Sequence, residues 1–136
     1  MDSGVFFDYD GSLAAQAAAS RPQLLADAPE ADWNVLLGSC ETLRFRAGEA
    51  VLTAGTTDRA LYIVADGRLD PPAPAVLGEA EFFSGLPVAH GYRAATDCEL
   101  LRLSFDAFTA LAAHDPRLGR DLLVDLGRRL ALQLRA

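Results

Sequence analysis

The sequence predicts a β barrel or roll flanked by helices, and three observations lead there. Between residues 41 and 104, short apolar runs are separated by turn signals at intervals of about eight to twelve residues, the spacing of barrels and rolls. Within the first of these runs, Thr42, Arg44 and Arg46 alternate with Leu43 and Phe45, which is the period of a half-buried strand. From Ser104 onward the period becomes helical and stays so to the end of the chain.

Taken in order, residues 1–12 are aromatic, acidic and glycine-bearing and read as an arm, with Val5 to Tyr9 its most apolar part. Leu13 to Ser20 is mostly alanine, with a face too small to bury much. Pro22 to Gly38 contains a better helix. Pro29 fits a first helical position, Glu30 and Asp32 suit the first turn, and Gly38 is a stop. Its buried stripe is Trp33, Leu36 and Leu37. Thr42 to Arg46 is a strand ended by Gly48, and Val51-Leu52 starts the next. After the Gly55 to Asp58 turn, Ala60 to Ala65 is a strand, and Asp66-Gly67 signals a hairpin. The run Asp70-Pro71-Pro72-Ala73-Pro74 is a surface connection, since proline has no donor for a ladder. Tyr92 to Ala95 and Glu99 to Leu103 close the sheet structure. Phe105 to His114 is a short helix, and Asp115-Pro116 opens a last one that runs to about Arg135.

A chain of 136 residues, 51% hydrophobic, suffices for one domain with a full core and is short for two. The net charge of −7 argues against nucleic acid and against anionic membrane surfaces, which require clustered cations. All twelve basic residues are arginine. The N-terminus lacks the pattern of a secretion signal, and no apolar run reaches the roughly 18 residues of a membrane span. Cys40 and Cys98 have no metal-ligand or redox spacing and read as free thiols in a reducing cytoplasm. No nucleophile, base or metal-ligand set stands out, so catalysis and a metal are not expected.

The most informative stretch is Leu77 to His90. It joins a Gly-Glu step, a short apolar helical turn and a Gly-x-Pro bend. Amides at a helix start favour an anion, and glycine lets the backbone approach a ligand. Phe82 and Phe83 read as core. His90 is a loop histidine able to meet an anion when protonated.

The order of parts resembles the cyclic nucleotide-binding domain family, the β-roll of the catabolite activator protein and of cyclic nucleotide-gated kinases and channels. The resemblance runs from about Leu24 to Arg135 through Phe45 to Glu49, Gly55 with Asp58, and Ala60 to Arg68. It continues through Gly78-Glu79-Ala80, Gly85-Leu86-Pro87, and Thr96 to Leu103. It implies a roll over about 41–104, C-terminal helices over about 105–135, and a domain of 21–136 behind an arm of 1–20. It also implies a phosphate-binding cassette. There the glutamate, here Glu79, binds a ribose hydroxyl, and an arginine after the bend neutralises the cyclic phosphate. Aligned without a gap, Gly78, Glu79, Gly85 and Pro87 match, with Ala80 also in the candidate cassette. The arginine position is Val88, the threonine position is Gly91, and Ala89 keeps only its N–H. A rival register places Arg93 to Thr96 on the Arg-Ala-Ala-Thr of the cassette, with Arg93 swinging into the pocket. The chain also has the proline run where the family carries an extra hairpin.

Loss of the cation facing a desolvated phosphate costs about 3–5 kcal/mol, or roughly two to three and a half orders of magnitude in affinity. Glu79, with no cation in sight nearby, deepens the loss. The expectation is therefore a regulatory module degenerate for cyclic AMP and cyclic GMP, without a firm cofactor, acting on protein. The alternative is a working small-molecule sensor that relays binding through its last helix. In that helix Leu118, Leu122, Leu126 and Leu130 recur at four-residue steps, with Leu123 beside them, and Arg117, Asp121, Asp125, Arg128 and Arg129 can pair on the other side. The resemblance implies that this leucine row builds a homodimer.

Overall fold

A computed structural model describes Leu24, Leu25 and residues 28–135. The expected N-terminal arm, its Val5 to Tyr9 segment and the alanine-rich stretch lie outside the described residues.

Helix α1 (Glu30–Gly38) starts after Pro29 and stops at the expected glycine. It buries Asp32, Trp33 and Leu36. Asp32 is the unexpected member, and Leu37 only packs partly against the core. A carboxylate tolerates this place because the first turn of a helix is partially positive and because Arg117 Nη2 reaches it at 2.6 Å.

Seven strands follow: β1 (Glu41–Phe45), β2 (Ala50–Leu52), β3 (Ala60–Asp66), β4 (Leu69–Asp70), β5 (Val76–Leu77), β6 (Tyr92–Ala94) and β7 (Cys98–Ser104). They form two antiparallel sheets, ordered β1-β7-β3-β5 and β2-β6-β4. Along the chain consecutive strands alternate between the two sheets, so the backbone winds as a roll. This corrects one expectation. Asp66-Gly67 does not close a hairpin; it carries the chain from β3 in the first sheet to β4 in the second, where Leu69 pairs with Ala94. Gly67 is needed there because φ is +91° and a Cβ would sit 2.7 Å from Cys98 Sγ, with the Asp97 carbonyl oxygen closer still. Gly67→Ala is expected to destabilise the protein by about 2–3 kcal/mol, from backbone strain plus overpacking, as read by urea unfolding.

β3 reads as a continuous apolar run because both of its faces are covered. Leu61, Ile63 and Ala65 join Trp33, Phe82, Phe108 and the last helix in one core, between sheet and helices. Ala60 and Tyr62 face the interior of the roll with Leu52, Leu69, Val88 and Leu100. Near that interior, Asp58 accepts hydrogen bonds from Tyr62 and Arg102, and it holds the Arg102 guanidinium above its ordinary pKa.

Helix α2 (Glu79–Ser84) lies between β5 and β6. Helix α3 (Phe105–His114) is capped by Ser104, whose Oγ accepts the Ala107 N–H at 3.0 Å. Helix α4 (Pro116–Arg135) follows at once. Cys40 and Cys98 are free thiols, and burial pushes Cys40 up to about 12, so it is protonated and inert near neutrality.

Candidate functional site

The Gly-Glu step is where β5 turns into α2. Gly78 has φ of +88°, and a Cβ there would lie 2.6 Å from the Ala60 carbonyl oxygen, so the backbone packs directly on β3. That contact sets the direction of α2 and points Glu79 inward, leaving it 5% exposed. Phe82, one turn on, is fully buried and meets Phe105 and Phe108 edge-on at 5.3 and 5.5 Å. Phe83 stays partly exposed, so only the first of the pair is core. The C-terminal carbonyls of α2 are held by Arg59. Its Nε donates to Phe82 O at 2.7 Å and its Nη2 to Phe83 O at 3.1 Å, while the guanidinium stacks 3.6 Å over Phe105.

An open cleft of about 360 Å³ lies at the start of α2. Leu52, Val76 and Leu77 form its apolar wall; Gly78, Glu79 and Ala80 form the backbone edge. Glu81, His90 and Tyr92 bring polar groups, and Gln133 reaches in from α4. The expected cassette is therefore divided. Gly78, Glu79 and Ala80 line the cleft, whereas Pro87, Val88, Ala89, Gly91 and Arg93 are not among its lining residues.

The bend after α2 is fastened to the preceding turn. Val88 N–H donates to Thr56 O, and Val88 O accepts from Gly55 N–H, each at 2.8 Å. The Val88 side chain is 5% exposed and belongs to the apolar interior of the roll. Arg93 does not swing into the cleft. It is a β6 residue paired with Ala50 and Asp70, is exposed, and donates from Nη1 to Gly48 O at 2.9 Å. Thr96 accepts the Arg68 N–H at a turn. The first two residues of the rival register, Arg93 and Ala94, thus belong to β6.

Glu79 has a cation after all. Arg129 Nε lies 3.0 Å from Glu79 Oε2, and both side chains are largely shielded. This corrects the expectation of an unopposed carboxylate. The signal was present in the last helix, because Arg129 continues the face of Leu122 and Leu126 at spacings of seven and three. A charge on an apolar stripe calls for a buried partner.

The last helix also places the expected partner row. Leu118, Leu122 and Leu126 have no exposed surface and pack on the roll of their own chain. Leu130 is half-buried. Asp125, on the same face, accepts the Leu25 N–H at 2.9 Å and pairs with Arg128 at 2.8 Å. The apolar side chains that α4 exposes are instead Leu123, Val124, Leu132 and Leu134.

Among the described residues no group of His, Cys, Asp and Glu is placed to hold a metal ion, and no helix is long and apolar enough to cross a membrane. The ionisable groups of the cleft wall are two glutamates, a histidine and a tyrosine, with no arginine among them. With Arg129 engaged by Glu79, the wall carries a surplus of negative charge, which opposes a phosphate.

No protein-family model matches the sequence, and no curated protein matches it. Solved structures do match by fold. A cyclic nucleotide-binding domain from Methylobacillus flagellatus KT superposes with a TM-score of 0.79 at 19% identity, over 90% of this chain and 78% of that one. The N-terminal domain of a transcriptional regulator from Streptomyces coelicolor A3(2) gives 0.73 at 20% identity, over 87% and 93%. The sensor domain of the transcriptional regulator DNR from Pseudomonas aeruginosa gives 0.63 at 18%, over 93% and 95%. At these identities the likeness is one of fold. The chain has the β-roll of cyclic nucleotide-binding domains with its flanking helices.

Proposed function

From a chain with the cyclic nucleotide-binding-domain fold, we propose a regulatory module whose cassette is closed by its own side chains and which acts through protein contact. It works in the reducing cytoplasm, in keeping with its two free thiols. One observation carries the reading: the side chain of Val88 is sealed in the roll interior while both of its backbone groups are bonded to the Gly55–Thr56 turn. At position 88, where the resemblance puts the phosphate-binding arginine, there is no cation, and the amide is taken by Thr56 O. The engagement of Glu79 by Arg129 supports it further, because the group that the resemblance assigns to the ribose already has a partner.

The test is calorimetric titration of the full chain with cyclic AMP and cyclic GMP. No heat of binding is expected below about 1 mM ligand, a free energy weaker than about −4 kcal/mol. Micromolar binding of either nucleotide overturns the proposal.

A second reading is a sensor for a ligand that is not an anion. It is favoured by the cleft itself, which joins α2 to α4 through Glu79–Arg129 and Gln133, so an occupant competing for Glu79 acts directly on the last helix.

A further inference from the structure

The cleft at the start of α2 has an apolar wall and one charge that the fold leaves unanswered. Its volume of about 360 Å³ is at the small end of ligand pockets, which span about 300–1,000 Å³. Leu52, Val76 and Leu77, all buried residues, supply the apolar wall. Of the two carboxylates beside it, Glu79 is occupied, since its Oε2 accepts from Arg129 Nε at 3.0 Å. Glu81 is half-buried and, among the described residues, forms no salt bridge. Both glutamates sit in the first turn of a six-residue helix, so its amides offset only part of their charge. His90, Tyr92 and Gln133 complete the polar wall.

We propose that this cleft binds a small organic monocation, an amine carried on one apolar ring. Each part of that description answers a part of the wall. The charge is single because Arg129 already neutralises Glu79 and leaves Glu81 alone. The body is apolar because only an apolar group gains by covering Leu52, Val76 and Leu77. A bare metal ion does not fit, since no group of His, Cys, Asp and Glu among the described residues is placed to hold one. The Tyr92 ring and the Gln133 amide oxygen are wall groups of the kind that share an ammonium. The net charge of −7 draws a cation toward the chain and repels an anion. The ligand is thus opposite in sign to the cyclic phosphate that the resemblance implies.

The assignment rests on the reading of the cleft as a sensor for a ligand that is not an anion, and it supplies the ligand's class. The test is calorimetric titration of the full chain with phenethylamine at neutral pH. Phenethyl alcohol and phenylacetate run beside it, sharing the ring but carrying no charge or the opposite one. The amine is expected to bind with a Kd of about 1 mM or tighter, in keeping with so few atoms. The alcohol should bind roughly tenfold more weakly and phenylacetate not at all. Glu81→Gln should weaken the amine by about tenfold or more and leave the thermal midpoint of the free chain unchanged, because no ion pair is lost. Equal binding of amine and alcohol overturns the cation and leaves the sensor reading standing. Phenylacetate binding as well as the amine overturns both. Silence from the amine up to about 10 mM, or a Glu81→Gln variant that binds it as the wild type does, overturns the proposal. Tighter binding of N-acetyl-arginine amide than of phenethylamine assigns the cation to a partner protein's side chain and overturns the free amine.

Discussion

Replacing Arg129 with methionine is expected to lower stability by about 3–5 kcal/mol, measured by urea unfolding at neutral pH. The size follows from what is left behind. The Glu79 carboxylate is 3.0 Å from the lost Nε and buried beneath α4, so it would keep its desolvation cost without its counter-charge. Methionine keeps most of the stem's apolar packing, so the effect isolates the charge. Glu79→Gln leaves Arg129 less deeply buried and should cost less. The double variant, Glu79→Met with Arg129→Met, should recover most of the loss, because a buried ion pair exchanged for apolar atoms of like volume is often close to neutral. A double-mutant cycle therefore gives a coupling energy of about 2–3 kcal/mol. A coupling near zero would mean that α4 is held on the roll by Leu118, Leu122 and Leu126 alone, and the link between cleft and helix would fall.

The same bridge shows what a sequence yields and what it withholds. The helices and the longer strands were legible because their signals are local, whereas the two-residue strands β4 and β5 were not expected. Phe105 to His114 is marked by a serine cap and by Asp115-Pro116, and α1 by Pro29 and Gly38. The direction of chain winding was not local. Asp66-Gly67 is chemically a turn whether the next strand pairs with β3 or crosses to the other sheet. Only the pairing of Leu69 with Ala94 decides it. The cassette was legible as an order of residues, Gly78-Glu79 and then Gly85-Leu86-Pro87, but not as a shape. Val88 and Arg93 lie five residues apart, one in the roll interior and the other on the outside of β6. Burial along α4 was half legible. Steps of four mark Leu118, Leu122 and Leu126 as one face but do not say what covers it. The answer is the roll itself.

Val88→Arg is the other substitution with a large expected effect, and it separates two meanings of a lost cation. If the cassette were an intact pocket lacking only its charge, arginine at 88 would reach into the cleft and cyclic AMP would stabilise the variant. At ligand a hundredfold above its dissociation constant, that gain is about 2.7 kcal/mol. The surroundings of Val88 argue for a different result. Its neighbours in the roll are apolar, among them Leu52, Tyr62 and Leu100, and the backbone on either side is fixed by Thr56 and Gly55. A guanidinium placed there is a buried charge without a partner, costing about 3–5 kcal/mol even after its stem bends toward solvent. Glu79 cannot serve it without giving up Arg129. The expected outcome is a thermal midpoint lower by about 10 °C or more for a domain of this size, with no recovery on adding millimolar cyclic AMP. Recovery by the nucleotide would show a cavity that still fits its ligand, and the closed cassette would have to be abandoned even though the wild type binds nothing. A stable variant that stays indifferent to nucleotide would mean that the loop can turn its side chain outward, so Val88 would not be the seal proposed for it.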